Sequence, residues 1–226
     1  MASKVIAIDG PAASGKSTAA RNLAARLGIP YINTGSLYRA IAWKAAQKGI
    51  SSRDEAALRE MLADTVIRYA VPAGGGNPDI EIDGVVPGQA LRAPDIEQGA
   101  SNVAAIPFVR AFTLQIQRDA AKTQLVVMEG RDIGTAVFPD AQYKFFLTAS
   151  PRVRALRRLA QGGETPDNAP VDSVAAEIEE RDRQDMNRSV APLRQAEDAV
   201  FIDSSGMTAE EVLDAMVLCI QDGGDA

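Results

Sequence analysis

The 226-residue chain has no histidine, one cysteine and no long hydrophobic run, and each absence removes a class of function. Without histidine there is no Ser-His-Asp triad, no imidazole general base and no His-ligated metal. Cys219 alone cannot close an internal disulfide or build a zinc site, so a reducing compartment is expected. No apolar stretch approaches the roughly 20 residues of a membrane span. A core strand is expected within the first few residues, with no signal peptide before it, which makes the cytoplasm the expected location. The formal charge of −6 argues against broad binding to nucleic acid or an anionic membrane, although a local arginine cluster can still hold phosphates. Hydrophobic residues at 46% and charged residues at 24% are ordinary for a globular protein, and the length suits one α/β core with insertions.

Gly10-Pro11-Ala12-Ala13-Ser14-Gly15-Lys16-Ser17 is the most informative stretch that is present. It lies between an apolar strand-like run, Val5-Ile6-Ala7-Ile8, and an Ala-rich helical run, and its spacing is that of a P-loop. Glycines let the backbone curl so that successive N–H groups point at phosphate oxygens, and the following helix presents its positive end to the same anion. Lys16 can reach the β- and γ-phosphates, and Ser17 can ligate Mg²⁺. Gly10 through Lys16, with Ser17 and Thr18, are therefore the residues expected to bind a nucleoside triphosphate, which the family resemblance given below narrows to ATP.

Apolar runs at Lys4–Ile8, Pro30–Ile32, Gln124–Met128, Tyr143–Leu147 and Ala199–Ile202 alternate with helical patterns such as Lys16–Leu27 and Ser36–Gln47. Short buried strands between helices predict a five-stranded parallel sheet flanked by helices, a three-layer α/β fold whose ligands bind beyond the carboxyl ends of the strands. Val66–Pro87 breaks the alternation with β-like pieces at Val66–Val71 and Ile80–Asp83, and Asp83-Gly84 is a hairpin signal. A small antiparallel insert is expected there; a surface excursion without function is the alternative. Gln161–Pro170, polar with Gly and Pro between Arg-rich helices, is expected to be a loop at a helical hairpin tip, and Gly223–Ala226 a frayed tail.

The remaining chemistry must come from arginines, acids and hydroxyls. Asn33-Thr34-Gly35-Ser36-Leu37-Tyr38-Arg39 opens a helix after the second strand, either as a second anion site or as an ordinary capped helix. Glu129-Gly130-Arg131-Asp132 follows a buried strand, where acids orient the waters of Mg²⁺. Arg131 can fork onto a phosphate or carboxylate, and Asp132 can accept from an exocyclic amine. Arg152, Arg154, Arg157 and Arg158 share a helix, as an anion-binding face or a solvated one. Arg181, Asp185 and Arg188 are spaced to face one side of a helix, which a surface ion-pair ladder would also explain. Ser101 and Arg110, flanking Pro107, are uninformative alone.

Taken in order, these pieces resemble the bacterial cytidylate kinase family of nucleoside monophosphate kinases. The resemblance is carried by Ile6-Ala7-Ile8-Asp9-Gly10-Pro11 with the P-loop, Thr34–Arg39, Glu129–Asp140, Arg181–Arg188 and Ala191-Pro192-Leu193, and it runs nearly the whole chain. It implies ATP-dependent phosphorylation of CMP and dCMP, with Mg²⁺ as cofactor, by a monomer that engages neither nucleic acid nor membrane. It implies a core over residues 1–35 and 105–226 with a lid near 155–172, and a monophosphate-binding domain over 36–104 carrying the insert near 66–87. Ser36, Arg39 and Arg131 would hold the CMP phosphate; Ser101, Arg110 and Asp132 would read cytosine; Arg181 and Asp185 would contact the ribose, with Arg188 near the phosphates. Arg157 and Arg158 would close over ATP, and with Lys16, Arg131 and Arg188 would form the catalytic set. Asn33 departs from the family's usual Asp, which removes a carboxylate from any Mg²⁺-water role there. A kinase of another small acceptor, a bare P-loop NTPase and a nucleic-acid-binding module are the competing readings.

Overall fold

Val5, Ile6, Ala7 and Ile8 are all buried, and their side chains alternate between two apolar clusters, so the first strand is covered on both faces. The computed structural model describes residues 3–72, 75–161 and 169–223. Along them run β1 (Ser3–Asp9), α1 (Lys16–Leu27), β2 (Tyr31–Asn33), α2 (Gly35–Gln47), α3 (Glu55–Ala63), β3 (Ile67–Ala70) and β4 (Asp79–Ile82). There follow α4 (Pro94–Ala104), α5 (Pro107–Ala120), β5 (Val126–Gly130), β6 (Ala141–Thr148), α6 (Pro151–Gln161), α7 (Val171–Met186), β7 (Val200–Asp203) and α8 (Ala209–Gln221).

The five longer-range strands form one parallel sheet in the order β2-β5-β1-β6-β7, as the alternation predicts. Ile6 and Ile8 pack with Ala19 and Leu23 of α1 and Met216 of α8, whereas Val5 and Ala7 pack with Met128, Ile133 and Val137 on the opposite face. The central strand β1 delivers its carboxyl end, and the P-loop, to the middle of the sheet's edge. β5 runs two residues beyond the apolar stretch and includes Glu129 and Gly130, because the ladder with β1 continues to Asp9↔Gly130. An acid is thereby carried inside a buried strand.

The insert is a two-stranded antiparallel sheet of β3 and β4. Its strands are joined through residues 71–78, not by Asp83-Gly84. That pair, both with positive φ, instead turns the chain just after β4, closing one bridge between Ile82 and Val85. A third apolar cluster joins the insert (Ile80, Ile82) to α2, α3, α4 and the start of α5, apart from the clusters on the sheet. α6 and α7 pack on each other through Ala155, Val174 and Ile178. The predicted loop between them lies, over residues 162–168, outside the described residues, as does the predicted tail at 224–226. No helix among the described residues is long and apolar enough to cross a membrane.

Candidate active site

The P-loop turns where side chains cannot fit. A Cβ on Gly10 would lie 2.0 Å from the Leu147 carbonyl oxygen, so only glycine lets β1 exit beside β6. Ala13 has φ 56, a left-handed conformation that costs an L-residue roughly 1–2 kcal/mol, an observed strain at the loop's apex. Lys16 opens α1, is buried, and curls back so that its Nζ donates to the Pro11 carbonyl at 2.5 Å and to Ser14 Oγ at 3.3 Å. Burial, reinforced by the nearby Arg131 guanidinium, lowers the Lys16 pKa to about 7.

Facing the loop is a wall of arginines, most of them tied to carboxylates. Arg110 of α5 is bonded to Asp132, both buried. Arg131 donates from Nε to Asp185 Oδ2 at 2.8 Å, and Arg188 pairs with the other oxygen of the same carboxylate. Burial pushes the Asp185 carboxyl up, but Arg131 and Arg188 outweigh it and hold the pKa below the usual carboxylate range. Arg181 and Arg158 meet on Glu97 of α4. Arg39 lines the cleft and makes no ion pair among the described residues. Glu129 stands at the cleft floor and accepts from the Tyr31 hydroxyl.

One cleft is lined by Ala12, Ala13, Ser14, Gly15, Lys16, Ser17 and Thr18 together with Arg39, Ser101, Arg110, Glu129, Arg131, Asp132, Arg158, Arg181, Asp185 and Arg188. It leaves out four of the predicted residues. Gly10 packs against Leu147 and Pro11 accepts from Lys16, while the Ser36 hydroxyl donates to the Asn33 carbonyl at 2.5 Å. Arg157 projects to the other side of the loop, bonding the Ser14 carbonyl at 3.1 Å and Ser204, and lines a second groove with Thr18, Met207 and Val212. Arg188 is not on the helix: α7 ends at Met186, and the following turn brings the guanidinium back to Asp185. The Arg-rich face of α6 is not uniformly solvated either, since Arg154 is buried against Asp182. Asn33 Oδ1 accepts the Ser36 N–H at 3.3 Å, a capping task for which an amide oxygen suffices.

Three site residues escape sequence reasoning. Asp182 accepts the Ala12 N–H at 3.2 Å and pairs with Arg154, tying the P-loop to α6 and α7; it lies one residue off the Arg181–Asp185 stripe. Asp9 accepts from the Ile133 and Gly134 N–H groups at 2.8 and 2.7 Å, fixing the turn that carries Arg131 and Asp132. Its burial raises the carboxyl pKa to about 7. Its place in the Ile6–Pro11 stretch, at the end of an apolar strand, marks it in the sequence without assigning it a role. Glu97 had none, because its partners are distant in sequence.

The donor set suits Mg²⁺ carried mainly by nucleotide phosphates: the Ser17 hydroxyl and Glu129 carboxylate line the same cleft. Among the described residues no group of three or more His, Cys, Asp or Glu forms a protein-only cage.

Residues 6–222 match the family model described as Cytidylate kinase. A cytidylate kinase of Desulforamulus reducens is 44% identical over 220 residues, covering 97% of this chain and 98% of that protein. One of Solibacter usitatus is 42% identical over 219 residues, covering 96% and 92%. A bifunctional pantoate ligase/cytidylate kinase of a Synechococcus species is 44% identical over 215 residues, 95% of this chain but 40% of that longer protein. Because the match takes in the sheet, the insert and both walls of the cleft at once, the chain belongs to the cytidylate kinase family.

Proposed function

We propose that this chain transfers the γ-phosphoryl group of ATP to CMP and dCMP by in-line displacement, giving CDP and dCDP. The observation that carries the reading is the opposition, across one cleft, of a P-loop and an arginine wall that includes a buried Arg110–Asp132 pair. Lys16 releases the Pro11 carbonyl to hold the β- and γ-phosphates, and the second groove beyond Thr18 accommodates the adenosine end of ATP. Mg²⁺, held by Ser17 with its waters oriented by Glu129, neutralises phosphate charge.

On the acceptor side, Arg39, Arg131 and Arg188 orient the CMP phosphate. Arg131 spends only Nε on Asp185, which leaves its two terminal nitrogens to fork onto phosphate oxygens. Ser36, outside the cleft lining, reaches the phosphate only after its hydroxyl leaves the Asn33 carbonyl. The Arg110–Asp132 pair presents donors beside an acceptor, which complements cytosine's acceptors and its amine. Uracil would place a carbonyl against the carboxylate, leaving both unmatched. Ser101 lines the same end, and Arg181 and Asp185 flank the sugar.

A dianionic phosphate oxygen is already a nucleophile, so alignment and charge neutralisation suffice without a general base. Water is the competing acceptor. Closure of a lid near 155–172, with Arg157 and Arg158 at its stem, and of a monophosphate-binding domain over 36–104 on a core of 1–35 and 105–226 would exclude it. The separate apolar cluster of α2–α4 and the insert supports that division. The chain acts as a cytoplasmic monomer on small nucleotides, without nucleic-acid or membrane partners. ADP release from Mg-ATP, compared for CMP, dCMP, UMP, AMP, GMP, shikimate and no acceptor, tests the reading. Stimulation by CMP and dCMP is expected; release indifferent to every acceptor would overturn it.

A further inference from the structure

Among the described residues, Glu97 is the acid of the cleft whose charge is divided between two arginines from different helices, Arg158 of α6 and Arg181 of α7. Only one of its oxygens, Oε1, makes these contacts. Its Oε2 is buried without a hydrogen-bond partner among the described residues, and so is Nε of Arg181. Both orphans belong to the same ion pair, and covalent geometry puts each next to an atom already in contact. A buried acceptor and a buried donor left unmatched are costly, so a site that keeps both is complementary to a group that donates and accepts at once. A hydroxyl is such a group.

Within a nucleotide, that chemistry narrows to the sugar. A phosphate dianion has no proton to donate to Oε2, and the base edge is served by Arg110 and Asp132. Ser101, one turn beyond Glu97 on the same face of α4, lines the same cleft. We infer that Glu97, through Oε2 together with Nε of Arg181, binds a ribose hydroxyl of the acceptor nucleotide and sets the enzyme's preference among ribo- and deoxyribonucleotides. The inference rests on the cytidine-nucleotide reading of the cleft and adds to it a specificity residue that no motif identifies.

The test pairs enzyme variants with substrates that lack one hydroxyl. Glu97→Ala and Glu97→Gln are compared with the parent on CMP, 2′-deoxy-CMP and 3′-deoxy-CMP, and on ATP against its 2′- and 3′-deoxy forms. For Glu97→Ala, kcat/KM for CMP should fall about tenfold, while one of the two deoxy-CMP analogues loses less than about twofold. Glu97→Gln should show the same coupling at smaller size and keeps the comparison decisive if the alanine variant fails to fold. An equal loss on all three acceptors would reduce Glu97 to a strut between helices and overturn the inference. Coupling to the ATP analogues alone would overturn it too. If the parent phosphorylates no cytidine nucleotide, the functional reading itself falls; if it does and coupling is absent, only the Glu97 assignment falls.

Discussion

The two walls of the cleft are built by opposite means. The P-loop wall comes from one continuous segment, residues 12–18, and much of its chemistry is backbone N–H and a helix terminus. The arginine wall is assembled from α2, α4, α5, the turn after β5, α6 and the α7 end, and its geometry is held by carboxylates: Asp132, Asp185 and Glu97. A backbone cradle is preorganised by local turn geometry. A cluster of buried like charges has to be preorganised by tertiary partners, since guanidinium groups this close repel. Losing a side chain should therefore do different things to the two walls.

The largest expected effect is on turnover. Lys16→Ala and Arg131→Ala should each lower kcat by about 10²–10³-fold, because each removes a donor to transferring or attacking phosphate oxygens. Steady-state kinetics of both variants checks this, and near-normal turnover of either would remove that residue from its proposed role. Lys16→Ala should nevertheless melt no lower than the parent, since burial already disfavours its charge.

The carboxylates behave differently. Asp185→Ala leaves Arg131 and Arg188 buried without their shared partner and should cost about 3–5 kcal/mol of stability as well as activity. Urea denaturation measures it; an unchanged midpoint would mean the arginine wall does not depend on its acids, and the contrast between walls would collapse.

A smaller effect concerns protons. Lys16, with a pKa of about 7 in the free protein, should return toward its ordinary value of 10.5 when a triphosphate sits against it. The bound form then holds more protons between those values, so ATP binding takes up a proton above pH 7 and affinity falls as pH rises through that window. Calorimetry at pH 8 in buffers of different ionisation enthalpy reads the uptake directly; its absence would place the loop's charge elsewhere. The smallest effect is a control outside both walls. Asp54 caps α3 by accepting the Ala57 N–H at 3.1 Å, and Asp54→Ala should cost about 1 kcal/mol with kcat unchanged.

The same contrast governs what was legible in the chain. The P-loop, the five strands and Lys16–Leu27 could be read because periodicity, glycine spacing and capping act over a few residues. Glu129 and Asp132 could be found because they follow a recognisable buried strand. The Asp83-Gly84 turn was read correctly as a turn but not as to which strands it joins, because that depends on the partners of Ile67 and Ile82. Asp182 sits in the Arg181–Arg188 stretch that carries the resemblance but has no role there, and Glu97 leaves no local trace; their partners lie 28 to 170 positions away.

By itself, then, the sequence determined the parallel α/β core, the phosphate loop and a chemistry confined to arginines, acids and hydroxyls. Those follow from backbone sterics, hydrophobic spacing and the absence of histidine. Only the tertiary structure decided which arginine faces which acid, that Arg157 turns away from the main cleft while Arg158 enters it, and that Arg188 returns from beyond α7. Charges in a low-dielectric cleft take their positions from partners brought together by folding, and no spacing rule along the chain encodes that distance.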